Sequence, residues 1–126
     1  MTDPDIARFF ERYAQRYMAF DVDTVTGMYE KPFLAVREGR PIHLTDDDAV
    51  REHLSGLMAA YRDAGAAEAA IADLQVTRLG RTSALATVQW QARAADGSVL
   101  REFATSYQLL DDGAGGWRIL AYVYHD

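Results

Sequence analysis

The chain of 126 residues contains no cysteine. Disulfide staples, thiol nucleophiles and cysteine-ligated zinc are therefore excluded. Lysine is almost absent as well: Lys31 is the only one, and arginine supplies the rest of the 13 basic residues, a bias that reads as codon usage rather than mechanism. The three histidines, His43, His53 and His125, are too scattered for metal-ligand spacing, so neither a metal nor another cofactor is expected. No run approaches the 18 or so uninterrupted apolar residues that a membrane-spanning helix needs. The start, Met1-Thr2-Asp3-Pro4-Asp5, is acidic where a secretory leader would be basic and then apolar, and a cytoplasmic protein with no membrane partner is expected. Acidic residues outnumber basic ones 19 to 13, for a formal charge of −6. Such a field repels phosphate backbones and anionic lipid, so nucleic acid is not an expected partner. No G-x-S-x-G elbow or serine triad pattern occurs. The glycine-rich segment Asp111–Gly116 lies between two strand-like runs rather than before a helix, which excludes a phosphate cradle.

What is present suffices for one domain over residues 1–126. Its 49% hydrophobic content fits a globular chain, and at this length folding hides roughly two-thirds of the unfolded surface. Asp3 suits a helix cap and Pro4 the first helical position. Ile6, Phe9, Phe10, Tyr13, Ala14, Tyr17 and Met18 then recur with helical spacing as one apolar stripe. A short second helix from Asp21 turns Val22, Val25, Met28 and Tyr29 inward and stops before Pro32. Residues 33–37 and 41–44 read as a small hairpin. Thr45, followed by Asp46, Asp47 and Asp48, predicts a hydroxyl-capped helix with carboxylates in its positive first turn. Its buried stripe is Val50, Leu54, Leu57, Met58 and Tyr61, with His53 on the margin. The alanine-rich stretch to Ala72 reads as a connection without defined shape.

Strands are predicted around residues 74–79, 84–94, 99–110 and 117–124. With Asp96-Gly97 as a two-residue type I′ turn, Ala92 faces Arg101, Trp90 faces Phe103, Val88 faces Thr105 and Ala86 faces Tyr107. Bulky apolar groups then share one face, and a slip of one residue would scatter them. The opposite face pairs Gln91 with Glu102, Gln89 with Ala104 and Thr87 with Ser106. Together with Gln108, Arg118, Tyr122 and Tyr124 this outer face suits a homodimer interface, or a plain solvated sheet.

The order helix, helix, hairpin, capped helix and meander resembles the nuclear transport factor 2-like superfamily, which includes ketosteroid isomerases, scytalone dehydratases and SnoaL-like polyketide cyclases. The resemblance spans nearly the whole chain. It is carried by Arg12-Tyr13 with Phe20-Asp21-Val22-Asp23, by Asp48-Ala-Val-Arg-Glu-His-Leu54, and by Thr105-Ser-Tyr-Gln-Leu-Leu110 with Gly116-Trp-Arg-Ile119. It implies an α+β fold in which a curved, mainly antiparallel sheet forms a cone-shaped barrel around three N-terminal helices, with one deep pocket and dimers through the outer sheet face. Tyr13 falls where the isomerases place an oxyanion-donating tyrosine. Their general-base aspartate aligns with Val36 or Arg37, with Glu38 just beyond, and their second donor aligns with Thr105, so steroid isomerisation is not implied. His43 is a positional match to a scytalone dehydratase histidine. Of the Asp-Arg-Asp set found in limonene epoxide hydrolases, only the arginine has a counterpart here, Arg101, and the inward carboxylates are missing.

The leading expectation is a pocket protein for a small apolar or aromatic molecule. Tyr17, Tyr29, Trp90, Phe103, Thr105 and Tyr107 are the expected ligand-binding wall, although core packing alone would also explain such a set. A cofactor-free acid–base enzyme (an isomerase, dehydratase or cyclase) acting on a hydrophobic carbonyl compound is the alternative. In it Tyr13 polarises the carbonyl, His43 moves the proton and Arg101 holds an anion. His43 would equally serve as a solvated neighbour of Asp46–Asp48, and Arg101 could snorkel to the rim. A non-enzymatic association module is the third possibility.

Overall fold

The computed structural model describes residues 3–125; the Met1-Thr2 start and Asp126 lie outside the described residues. The first helix, α1, spans Pro4–Met18, and the Asp3 side chain caps it by accepting the Ile6 N–H. Its stripe packs inward, with Ile6 and Phe10 fully buried. The second helix, α2, spans Val22–Gly27 under an Asp21 cap. The third, α3, spans Asp47–Asp63. Its cap is Asp46 rather than Thr45: Asp46 has the extended backbone a cap requires, and its carboxylate accepts the Ala49 N–H at 2.8 Å. A charged acceptor there satisfies an orphan amide and also opposes the positive helix end.

Six strands form one sheet: β1 (Tyr29–Arg37), β2 (Arg40–Leu44), β3 (Ala66–Leu79), β4 (Ser83–Ala94), β5 (Val99–Asp111) and β6 (Trp117–Tyr124), in the order β2-β1-β6-β5-β4-β3. All neighbours are antiparallel except β1 and β6. The sheet curves around the helices without closing, so β2 and β3 remain edges instead of joining as a barrel would. β1 begins four residues before the expected Phe33. Its pairing with β6 is interrupted between Tyr29 and Leu34, and Pro32, which cannot donate to a ladder, sits in that gap. The alanine-rich stretch is strand after all. β3 pairs with β4 from Ala66↔Ala94 to Leu79↔Ser83, a case of tertiary pairing overriding alanine's weak strand preference.

The β4–β5 register matches the one read from side-chain sorting, from Ala92↔Arg101 to Ala86↔Tyr107. The turn itself differs. Ala94 N–H donates to Ser98 O and Gly97 N–H to Ala94 O, which makes a three-residue loop with Gly97 at φ +87°. The extra loop residue is offset by a bulge beyond Arg93↔Val99, so the sorting survives. The two-residue turn occurs instead in the β1–β2 hairpin, where Arg37 pairs with Arg40 and both Glu38 and Gly39 have positive φ.

A second bulge redirects β6. Leu109 pairs with Ile119, but Gln108 pairs with Ala121, so Leu120 is extra. Trp117 and Ile119 point inward before it, and Tyr122 and Tyr124 point inward after it. The placement of these two tyrosines on the outer face is thereby corrected: strict alternation from Trp117 would put them outside, and the bulge reverses it. Val123, 46% exposed, takes the outer position. Among the described residues no helix is long and apolar enough to cross a membrane.

Candidate functional site

Between the helices and the concave face lies a cavity whose deep end is built from rings. α1 supplies Tyr13 and Tyr17, β1 supplies Tyr29, β4 supplies Trp90 and β5 supplies Tyr107. Phe10 lies 4.7 Å from the Tyr107 ring, centroid to centroid, and packs against Tyr13 and Trp90 as well. Toward the open end the wall continues with Tyr61 and Leu57 of α3, Phe103 and Thr105 of β5, Tyr122 and Tyr124 of β6, and Arg37 of β1. The volume open to the centres of water-sized molecules is about 70 Å³. One water needs roughly 10–15 Å³ on that measure, so the cavity has room for several waters or a small compound.

The hydroxyls at the deep end are engaged with one another. Tyr13 Oη and Tyr29 Oη are 2.7 Å apart, and Trp90 Nε1 donates to Tyr107 Oη at 3.0 Å. One bond between two hydroxyls uses one proton, so the Tyr13–Tyr29 pair retains one O–H to offer. Tyr107, which only accepts from Trp90, keeps its own. Burial, above all, pushes Tyr13, Tyr17, Tyr29 and Tyr107 above their ordinary value of 10, since a phenolate there would be desolvated. These groups are neutral donors near pH 7, not bases.

The open end carries the charge. Arg37 donates to Tyr122 Oη at 3.3 Å, and its guanidinium lies 4.5 Å from the Tyr124 ring centroid. From the other side, Arg101 donates to Tyr124 Oη and lies 5.4 Å from the same ring. His53 of α3 reaches Tyr122 Oη with Nε2 at 2.8 Å, from behind the cavity wall. Its imidazole is held below the ordinary 6.5, first by burial and then by the Arg37 charge. It is therefore neutral near pH 7. Tyr122 is raised by burial, a shift that the Arg37 hydrogen bond and charge partly oppose. No carboxylate stands on the described wall. Among the described residues no group of three or more His, Asp or Glu is placed to hold a metal ion.

The residues singled out in the sequence separate into three groups. Tyr13, Tyr17, Tyr29, Trp90, Phe103, Thr105 and Tyr107 all stand on the cavity wall. Arg101 is exposed at the rim, beside Tyr124. His43 is exposed on the edge strand β2, opposite Leu34, and is not on the wall; the strand's outward alternation carries it away from the interior. Arg37, His53, Tyr122 and Tyr124 complete the polar end without having been chosen as site residues. Arg37 had a readable signal, since it continues the inward alternation of Phe33 and Ala35. The tyrosines had none, because the Leu120 bulge hides their direction.

Over residues 3–126 the chain matches the NTF2-like protein family DUF6841, and it belongs to that family. A comparison with curated proteins finds no match. Among solved structures, an NTF2-like protein with a cystatin-like fold from Novosphingobium aromaticivorans superposes with a TM-score of 0.74 at 17% identity, covering 96% of this chain and 79% of that one. An NTF2-like protein of unknown function from Shewanella oneidensis gives 0.73 at 14% identity, covering 98% of each chain. A provisional scytalone dehydratase from Novosphingobium aromaticivorans gives 0.70 at 12% identity, covering 97% of this chain and 81% of that one. At identities this low, these superpositions show a shared fold alone.

Proposed function

We propose that this NTF2-like chain is a pocket protein that holds a flat, small apolar or aromatic molecule. The observation that carries the reading is the cavity wall: rings from α1, β1, β4, β5 and β6 converge on one space and leave it open at one end. Aromatic faces supply dispersion and area burial, while the one spare O–H of the Tyr13–Tyr29 pair and that of Tyr107 orient a ligand oxygen. Tyr17, Trp90, Phe103 and Thr105 act as wall. A thermal-shift screen against aromatic carbonyl compounds tests this, because a ligand selective for the folded state raises the melting temperature. A broad panel without a single concentration-dependent stabilisation overturns it.

A second reading, cofactor-free acid–base chemistry on a hydrophobic carbonyl compound, is favoured by the 2.8 Å contact between His53 Nε2 and Tyr122 Oη. With His43 off the wall, His53 is the imidazole that can take a proton relayed through Tyr122, while Tyr13 polarises a carbonyl and Arg101 holds charge at the rim. Hydrogen–deuterium exchange α to the carbonyl of an aromatic ketone, followed by NMR, tests it. Exchange that is accelerated by the protein and lost in His53→Gln and Tyr122→Phe supports the reading; no acceleration removes it.

The outer sheet face, with Gln89, Gln91, Glu102 and Gln108 beside exposed Leu85 and Val123, supports homodimerisation. Light scattering that returns the mass of one chain at high concentration would exclude this.

A further inference from the structure

The protein is rich in acid, yet among the described residues the charged end of its cavity carries guanidinium groups and no carboxylate. Partly buried arginines elsewhere in the fold face a carboxylate: Arg51 meets Asp23 at 2.9 Å, Arg93 meets Glu68 at 3.7 Å and Arg118 meets Glu30 at 3.1 Å. Arg37 is also partly buried, and among the described residues no carboxylate lies within 4.0 Å of it. Of its five N–H donors, one goes to Tyr122. Arg101, exposed at the rim, likewise has no carboxylate partner among the described residues. Both guanidinium groups flank Tyr124. Shielding a guanidinium without a counter-charge costs free energy that cation–π contact only partly offsets. A ligand that supplies the missing negative charge recovers that cost, and a guanidinium fork matches a carboxylate or enolate edge.

We infer that the cavity takes an aromatic anion, a planar ring bearing a carboxylate, phenolate or enolate, with its charged oxygen on Arg37 and Tyr122 and with Arg101 closing over it from the rim. The ring lies inward against Trp90 and Tyr107, and the charge stays at the open end, where water completes its solvation. His53 neither repels nor competes for such an anion near pH 7, since it is neutral there. The inference rests on the pocket reading and narrows its ligand class.

The test compares benzoate with benzamide, which has nearly the same shape but no charge, by calorimetric titration at pH 7. Benzoate is expected to bind tenfold or more tightly than benzamide, the difference one charge-assisted hydrogen bond typically supplies. That preference should shrink as salt is raised, since the open end is solvated. Arg37→Met should bring the two affinities together by weakening benzoate far more than benzamide, which loses only a hydrogen bond to a neutral oxygen. Arg37→Lys should keep part of the preference, and serves as the second variant if Arg37→Met does not fold. Equal affinities for the two compounds in the wild type, or a preference that survives Arg37→Met, would overturn the inference and leave the pocket reading standing. Binding of neither compound overturns both.

Discussion

The two ends of the cavity are made from the same kind of side chain and have opposite properties. At the deep end, tyrosine and tryptophan rings pack edge-on or tilted against Phe10, and their hydroxyls and indole N–H pair with one another. At the open end, Tyr122 and Tyr124 turn their hydroxyls toward guanidinium groups and an imidazole. The deep end is therefore expected to contribute mainly stability, and the open end mainly selectivity. The spare O–H groups at the first are neutral and offer a ligand oxygen orientation, whereas positive charge that no described carboxylate matches offers a charged oxygen more at the second.

Substitutions can break that contrast. The largest effect is expected from Phe10→Ala, which removes a fully buried ring from beneath four aromatic neighbours. Chemical denaturation should show a loss of about 3–5 kcal/mol. Tyr107→Phe comes next. It strands the Trp90 N–H in a buried site, and a cost of about 1–3 kcal/mol is expected from the same measurement. Arg37→Met should cost less, at most about 0.5–1 kcal/mol, because loss of the contact with the Tyr124 ring is offset by relief of an unpaired guanidinium. If it cost more than Tyr107→Phe, the assignment of stability to the deep end would fail.

The smallest effect sharpens the contrast through pH. An imidazole held below its ordinary 6.5 in the fold binds protons more readily in the unfolded chain. Stability is then full above that value and falls as pH drops toward the lowered folded value. Asp3, Asp21 and Asp47 are lowered from 3.8, so their contribution fades in a separate window near and below pH 4. His53→Gln should therefore flatten the slope of melting temperature with pH just below 6.5 while leaving the acid limb in place. An unchanged slope would show that His53 is not shielded as described.

Much of the scaffold could be read from residue pattern, and the reason is period. The stripe from Ile6 to Met18 has one helical solution, and the bulky residues of β4 and β5 sort onto one face in one register. Asp46 displaced Thr45 as a cap because both are capping residues and only backbone direction chooses between them. The strand through Ala66–Ala72 was invisible because alanine carries no period of its own; β4 imposes the pairing. The aromatic wall was legible for the same reason as the strands that bear it. The polar end was not, because it depends on a residue count rather than on residue types: one extra position in β6 decides where two tyrosines point. His53 carries no signal of its own, since a histidine beside a buried stripe is ordinary and strict alternation puts its partner, Tyr122, on the other face.

The bulge at Leu120 thus sets the polarity of the cavity through local strand pairing alone. Were Leu120 taken into the regular ladder instead of being bulged out, Ala121 and Val123 would face the cavity in place of the two hydroxylated rings, and its mouth would be greasy. The helices, the deep end and the rest of the sheet would stay as they are, so one local irregularity in β6 separates a hydroxyl-lined mouth from an apolar one.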